Sequence, residues 1–206
     1  MKKPVALIFG YRGGIGSAVK TFLLQGGYRI IPVDSTIINF DKPDADAQIH
    51  SLLTNSQPDV VVNATGVFRN GWQQDHVETM NVNVGSNWSI LRYYMNPDNQ
   101  TKSTRIIMIG SSSHSGGRNL YPLYSASKAA VYNLWQSACQ ALVATNVVVD
   151  LVNPVRTLTR MSTAGGKKID PALDYLQPDQ VAERIMQLVN ENLPSRCIEM
   201  TYKDVK

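Results

Sequence analysis

Tyr124 and Lys128 stand four residues apart in Tyr124-Ser125-Ala126-Ser127-Lys128. On a helix, positions i and i+4 share one face, so a phenol and an ammonium become stacked neighbours. A free tyrosine has a pKa of about 10 and shuttles protons poorly at neutral pH. A nearby ammonium stabilises the phenolate and lowers that value. Such a tyrosine can give a proton to a carbonyl oxygen, or take one from an alcohol, while a hydride moves at the adjacent carbon. Y-x-x-x-K pairs are common on solvated helices, and an upstream hydroxyl cluster sets this one apart. Ser111-Ser112-Ser113 follows an apolar run, and a hydroxyl there can hold the same carbonyl oxygen. Strand register after Ile109-Gly110 favours Ser112, and Ser111 stays open.

A second pattern suits a dinucleotide. The apolar run Val5–Gly10 passes straight into Gly10-Tyr11-Arg12-Gly13-Gly14-Ile15-Gly16. Glycine permits a tight turn and lets the backbone approach a pyrophosphate, and the helix that follows offers free N–H groups and the positive end of its dipole. Asp34 closes the second apolar run, where a carboxylate accepts from ribose hydroxyls and repels a 2′-phosphate. That favours NAD(H), with NADP(H) as the alternative because the Arg12 guanidinium can pair with a phosphate. Asn63-Ala64-Thr65-Gly66 ends a third run with small residues that let a cofactor lie across a sheet edge.

The elements that position these groups alternate in type. Short β-branched runs at 5–10, 28–34, 59–64, 105–109, 146–152 and 197–200 read as strands. Amphipathic stretches at 14–24, 76–94, 123–144 and 178–190 read as helices. Alternation of this kind calls for a doubly wound α/β fold of Rossmann type, a parallel sheet with helices on both faces. The 206 residues suit one domain spanning 1–206. With 43% hydrophobic and 17% charged residues the chain is an ordinary globular one. The net charge of +4 is scattered rather than bunched, which argues against nucleic acid as a partner and leaves room for an anionic substrate. The first apolar run is too short for a signal peptide and none is long enough to span a bilayer, so a cytoplasmic protein without a membrane partner is expected.

In order, the glycine turn, Asn63-Ala64-Thr65-Gly66, Val82-Asn83-Val84-Gly85, Ser112 and Tyr124-x-x-x-Lys128 resemble the short-chain dehydrogenase/reductases over almost the whole chain. The resemblance implies a nicotinamide-dependent oxidoreductase with Tyr124 as acid/base. Lys128 would hold the nicotinamide ribose and lower the tyrosine pKa, and Ser112 would orient the substrate carbonyl. Asn83, with Asn81 as fallback, would hold a water in a proton relay. It assigns Gly10, Arg12, Gly13, Gly14, Ile15, Gly16, Asp34, Asn63, Ala64, Thr65, Gly66, Tyr124, Lys128, Pro154 and Thr157 to the cofactor. Ser112, Tyr124 and Arg156 fall to a small-molecule substrate. A homodimer or homotetramer is the implied assembly. There are departures: Phe9-Gly10 stands for the usual Thr-Gly, an extra threonine interrupts Asn-Ala-Gly, and Pro154-Val155 stands for Pro-Gly.

Two local likenesses refine the picture. The glycine turn is similar to that of the dihydropteridine reductases, which use NADH but lack the serine. Asn153-Pro154-Val155-Arg156-Thr157-Leu158-Thr159 is similar to reductase domains joined to pentitol-phosphate cytidylyltransferases. There Arg156 and Arg160 would grip a phosphate bidentately. Gly165-Gly166 and Lys167-Lys168 lie in an irregular stretch, 157–177, expected to close as a loop. The rival readings are a pterin-type reductase and a catalytically idle dinucleotide sensor. His76 and His114 have no second histidine at ligand spacing, so no metal is expected; His114, in the loop after the serines, is expected at the surface, with a place facing the substrate as the alternative. Trp72, Trp88 and Trp135 are expected to pack. Cys139 and Cys197 match no redox or metal spacing and are expected to be buried thiols.

Overall fold

Successive residues of the four central apolar runs face opposite ways, and both ways are dry, while the edge runs are partly exposed. The strands are β1 (Val5–Phe9), β2 (Arg29–Val33), β3 (Val60–Asn63), β4 (Thr104–Ile109), β5 (Val147–Pro154) and β6 (Cys197–Met200). The helices are α1 (Gly14–Gln25), α2 (Ala45–Ser56), α3 (His76–Met80), α4 (Ser86–Met95), α5 (Pro122–Ala141) and α6 (Pro178–Asn190). Leu7, Phe9, Val61, Ile106, Met108, Val149 and Leu151 share a core with Ile49 and Leu53 of α2, Ile90 of α4 and Val131 of α5. Ala6, Ile8, Val62, Ile107, Ile109 and Val152 share the other with Val19 and Leu23 of α1 and Val181 and Ile185 of α6. Burial on both faces is why the strands read as unbroken apolar runs. This computed structural model describes residues 2–72, 76–163, 170, 173–191 and 193–202.

All six strands are parallel, in the order β2-β1-β3-β4-β5-β6. The chain winds outward from β1 to β2, then returns past β1 to β3 and continues the other way. The order therefore reverses between β1 and β3, and the loops leaving their carboxyl ends part around a crevice. In open sheets of this kind ligands bind there. At the β2 edge, Arg29 N–H donates to the Pro4 carbonyl and the Val33 carbonyl accepts from Gly10 N–H. By alternation, Arg29, Ile31 and Val33 turn their backbone polar groups toward β1, and Ile30 and Pro32 turn theirs outward.

Three features differ from the expectation. Helix α2 had not been anticipated, because its sequence is mostly polar and its buried stripe is only Ala45, Ile49 and Leu53. The expected helix at 76–94 is broken by a π-helical turn, Asn81–Gly85, between α3 and α4. Trp72 and Trp88 are 77% and 54% exposed rather than packed, whereas Trp135 Nε1 donates to the Val149 carbonyl. Among the described residues no helix is long and apolar enough to cross a membrane.

Candidate active site

The glycine turn fits a group that needs backbone at close quarters. Gly10 has φ +75°, and a Cβ there would meet the Ala64 carbonyl oxygen at 2.7 Å. A Cβ on Gly16 would sit 2.3 Å from the Gly10 oxygen. Gly13 N–H donates to the Gly10 carbonyl, and Gly13 N-caps α1 with no side-chain hydrogen bond to its first turn, which Gly14, Ile15 and Gly16 form. The helix N-terminus is thus bare at the mouth of the β1–β3 crevice, the arrangement that receives a pyrophosphate. Thr159 lies over it, its Cγ2 2.6 Å from where a Gly14 Cβ would be.

Asp34, one residue beyond β2, is nearly buried. Its Oδ1 accepts from Thr36 N–H (2.9 Å) and the Thr36 hydroxyl (2.6 Å). The Thr36 hydroxyl is the largest influence holding this carboxyl below the ordinary carboxylate value, and Arg12 adds to it, against the upward push of burial. Arg12 Nε lies 2.7 Å from Oδ2 but points its hydrogen bond at the Tyr11 hydroxyl (3.0 Å). Oδ2 is therefore charge-paired yet has no hydrogen-bond donor. A buried orphan acceptor at this strand end fits the hydroxyls of a nucleoside ribose.

Tyr124 and Lys128 meet as helical spacing requires, with Nζ 5.7 Å from the centre of the tyrosine ring. Lys128 is buried and donates to the Ile109 carbonyl at 2.9 Å. Burial pulls its pKa down to about 8. The same burial pushes the Tyr124 phenol up to about 12, reversing the lowering expected from Lys128. The two shifts are consistent, since a lysine that loses its proton at about 8 is neutral before a tyrosine at about 12 would ionise. The side chain that does favour the phenolate is the neighbouring Ser111 hydroxyl, which works against the upward push of burial.

The structure thus brings Ser111, rather than Ser112, to Tyr124. Strand alternation does not extend past Ile109. Ser111 Oγ accepts from Ser113 N–H at 3.1 Å and caps a 3₁₀ turn, Ser112–Ser115, so the chain curls where an extended register was expected. Ser112 sits half-buried on that turn. Phe68 walls the other side of the phenol, its ring 4.9 Å from Tyr124 and 5.1 Å from Tyr121.

Asn83 is wholly buried within the π turn and bolts two parts of the site together. Its Oδ1 accepts from Val67 N–H (2.8 Å), and its Nδ2 donates to the Val67 carbonyl (3.1 Å) and Ser127 Oγ (2.9 Å). Ser127 in turn donates to the Tyr124 carbonyl at 2.7 Å. The Asn83 carbonyl accepts from Asn87 Nδ2 at 2.9 Å. Asn81 instead bonds Asp41 on an exposed face. Asn63 is also buried, bonding Ser86, Asn87 and Thr65, and so it shapes the loop of Ala64, Thr65 and Gly66 from behind.

Pro154, the last residue of β5, is buried, and beyond it Thr157 spends its hydroxyl on the Val155 carbonyl and pairs with Leu176. The chain then crosses the crevice, with Thr159 over Gly14 and Met161 Cε 3.6 Å from where a Gly66 Cβ would be. Thr159, not Thr157, therefore reaches the glycine turn. Arg156 and Arg160 are exposed, and neither pairs with a carboxylate among the described residues. Gly165, Gly166, Lys167 and Lys168 lie outside the described residues. Two residues beside Ser111 escaped the sequence pattern, Asn153 and His114. His114 had been expected at the surface, but its ring stacks on Tyr132 (4.4 Å, 12°). Cys139 and Cys197 are free and half-buried, and Cys197 bonds Asn153 and Glu199.

A family model described as short chain dehydrogenase matches residues 44–170. The chain is 25% identical over 232 residues to an acetoacetyl-CoA reductase of Acinetobacter sp., covering 93% of this chain and 92% of that protein. It is 26% identical over 221 residues to a bifunctional ribulose 5-phosphate reductase/CDP-ribitol pyrophosphorylase of Haemophilus influenzae, covering 99% of this chain and 44% of that one. Among solved structures, a short chain dehydrogenase from Burkholderia cenocepacia in complex with NADP superposes with a TM-score of 0.79 at 16% identity, covering 99% of this chain and 91% of its own.

Proposed function

The chain belongs to the short-chain dehydrogenase family, and on that premise we propose that it reduces the carbonyl of a small, anionic, sugar-phosphate-like substrate, with Tyr124 as proton donor. The observation that carries this is the placement of the Tyr124 phenol between the Ser111 hydroxyl and the Lys128 side chain at the carboxyl ends of the strands. A bound nicotinamide cofactor supplies the hydride. Gly10, Gly13, Gly14, Ile15 and Gly16 receive its pyrophosphate, Asp34 its adenosine ribose, and Thr159 closes over the first turn of α1. The substrate carbonyl oxygen lies between Ser111 Oγ and the Tyr124 hydroxyl. As charge builds on that oxygen, the tyrosine gives up its proton. A phenol raised to about 12 stays loaded for this at neutral pH. The Lys128 charge, present below about pH 8, favours the phenolate left behind. Asn83 keeps Tyr124 in register through Ser127.

We assign NADH as the preferred cofactor, because Asp34 presents a carboxylate oxygen lacking a donor and engages the charge of Arg12. The NADP in the Burkholderia cenocepacia structure supports the opposite preference, which requires Arg12 to leave Asp34 for a 2′-phosphate. Anionic character rests on Arg156 and Arg160, exposed on the segment that crosses the crevice. The relation to the ribulose 5-phosphate reductase of Haemophilus influenzae supports a phosphorylated ketose. Half-exposed Trp88 on α4 supports assembly of the chain with itself through its central helices.

The test is NADH oxidation by the purified protein against ribulose 5-phosphate, other sugar phosphates, acetoacetyl-CoA and neutral ketones and aldehydes. Sugar phosphates should turn over fastest. Arg156→Ala should raise their KM roughly tenfold, the effect of losing one charged hydrogen bond, with little change in kcat. Tyr124→Phe should lower kcat by ~10²-fold or more while NADH still binds. Equal turnover of neutral carbonyls, untouched by Arg156→Ala, would remove the anionic substrate. Full turnover by Tyr124→Phe would remove the proton donor.

A further inference from the structure

We propose that His114 is a positioning residue that sets the Ser111 hydroxyl against Tyr124; this rests on the role given to Ser111 above. Ser111 is gripped through its backbone from both sides. Its N–H donates to Asn153 Oδ1 at 3.0 Å, and its carbonyl lies 2.8 Å from His114 Nδ1. A carbonyl only accepts, so Nδ1 carries the proton in this contact. The other ring nitrogen, Nε2, is 3.7 Å from Glu199 Oε1 on β6. That same carboxylate oxygen accepts from Asn153 Nδ2 at 2.7 Å. Asn153 and His114 thus hold the serine backbone from its two sides, and Glu199 anchors the Asn153 amide.

The hold on the Ser111 backbone is close-fitting. Asn153 Oδ1 stands 1.8 Å from where a Cβ on Gly110 would be, so the residue before Ser111 has to be glycine for the amide to reach in. The imidazole is stacked on Tyr132, one helical turn beyond Lys128 on α5, so its plane is fixed by the helix that carries Tyr124. With the backbone held, Ser111 Oγ accepts from Ser113 N–H, which leaves its own proton to be donated toward Tyr124 or a carbonyl oxygen. Proton transfer by Tyr124, Lys128 and Ser111 needs neither an imidazole nor an acid at these places. Their geometry is accounted for if the curl after β4 requires an outside hold to keep the serine hydroxyl aimed.

The experiment is a double-mutant cycle read in kcat, with ribulose 5-phosphate or the fastest sugar phosphate of the panel at saturating NADH. His114→Ala should lower kcat roughly tenfold, the effect of one lost backbone hydrogen bond at the reacting group. NADH affinity should not change. In a Ser111→Ala background the same substitution should change kcat less than about twofold, because its effect passes through the serine. His114→Asn, which offers an N–H near the Nδ1 position, should restore most of the rate. His114→Phe, which keeps the stack on Tyr132, should not, and it replaces His114→Ala if that variant fails to fold. An undiminished loss in the Ser111→Ala background, or a wild-type rate for His114→Phe, overturns the positioning role alone. A wild-type rate for Ser111→Ala itself, or no turnover of any carbonyl by the unaltered protein, overturns the functional reading, and the positioning role falls with it.

Discussion

Lys128 Nζ donates to the Ile109 carbonyl at 2.9 Å while lying 5.7 Å from the centre of the Tyr124 ring. The ammonium is thus tied to the end of β4 and reaches the tyrosine through space rather than through a bond. Its influence depends on its charge, which burial makes easy to lose, at about pH 8. Carbonyl reduction should therefore run at a steady kcat below about pH 7 and decline as pH rises through about 8. A pH profile of kcat at saturating cofactor and substrate measures this. Lys128→Arg, charged throughout the range, should lose the alkaline decline even if its overall rate is lower.

Burial of Lys128 also costs stability. Its folded pKa, about 8, lies below the ordinary value of 10.5, so the unfolded chain binds the extra proton between those values. Wild-type stability should rise as pH goes from about 8 to about 10.5, with the full penalty present below 8. Lys128→Met should remove that penalty, stabilising the fold at pH 7 by about 3 kcal/mol less the contribution of the lost Ile109 bond. The advantage should shrink toward zero by about pH 10.5. Urea unfolding of both proteins across that range checks the sign, and the variant should be nearly inactive.

Asp34→Ala should move cofactor preference toward NADPH by at least about tenfold, the scale of one charge-assisted hydrogen bond added to the removal of a like-charge repulsion. Arg12 is two-thirds exposed and, once released from Asp34, is free to meet a 2′-phosphate. Adding Arg12→Ala should cancel the shift. Fluorescence titration with both cofactors reads the ratio; an Asp34→Ala protein with unchanged preference would show that the strand end does not select.

Two glycines predict opposite outcomes for the same substitution. Gly16→Ala puts a methyl 2.3 Å from the Gly10 oxygen, so the turn has to open, and NADH affinity should fall at least about tenfold. Gly27 has φ +83° but nothing within 4 Å of its absent Cβ. Gly27→Ala should cost about 1 kcal/mol of stability through backbone strain and leave NADH affinity unchanged. Chemical unfolding and fluorescence titration of both variants separate the two effects.

Much of this was legible in the residues. The doubly wound sheet followed from the alternation of short β-branched runs with amphipathic stretches, and the Tyr124–Lys128 contact followed from helical spacing. The glycine turn followed from its place between strand and helix. What escaped had causes that act beyond local pattern. Helix α2 buries only Ala45, Ile49 and Leu53, a stripe too narrow to stand out from its polar neighbours. Ser111 faces Tyr124 because a side chain caps a turn, and strand alternation cannot foresee that. The raised Tyr124 and lowered Lys128 come from burial, which neighbour spacing does not convey. His114 reaches the Ser111 carbonyl because the chain curls back after β4 and Tyr132 stacks on its ring, neither of which local pattern conveys.

The edge strand β2 carries a last consequence. Its outward-facing positions include Pro32, which has no N–H to offer a neighbour. A strand from another chain laid along that edge would find a gap in the hydrogen-bond ladder where Pro32 stands. The proline therefore acts as a guard against the sheet growing sideways, whether into fibres or into stray pairings during folding. Any association of the chain is thereby steered away from this margin and toward side-chain surfaces, where geometry and chemistry select the partner.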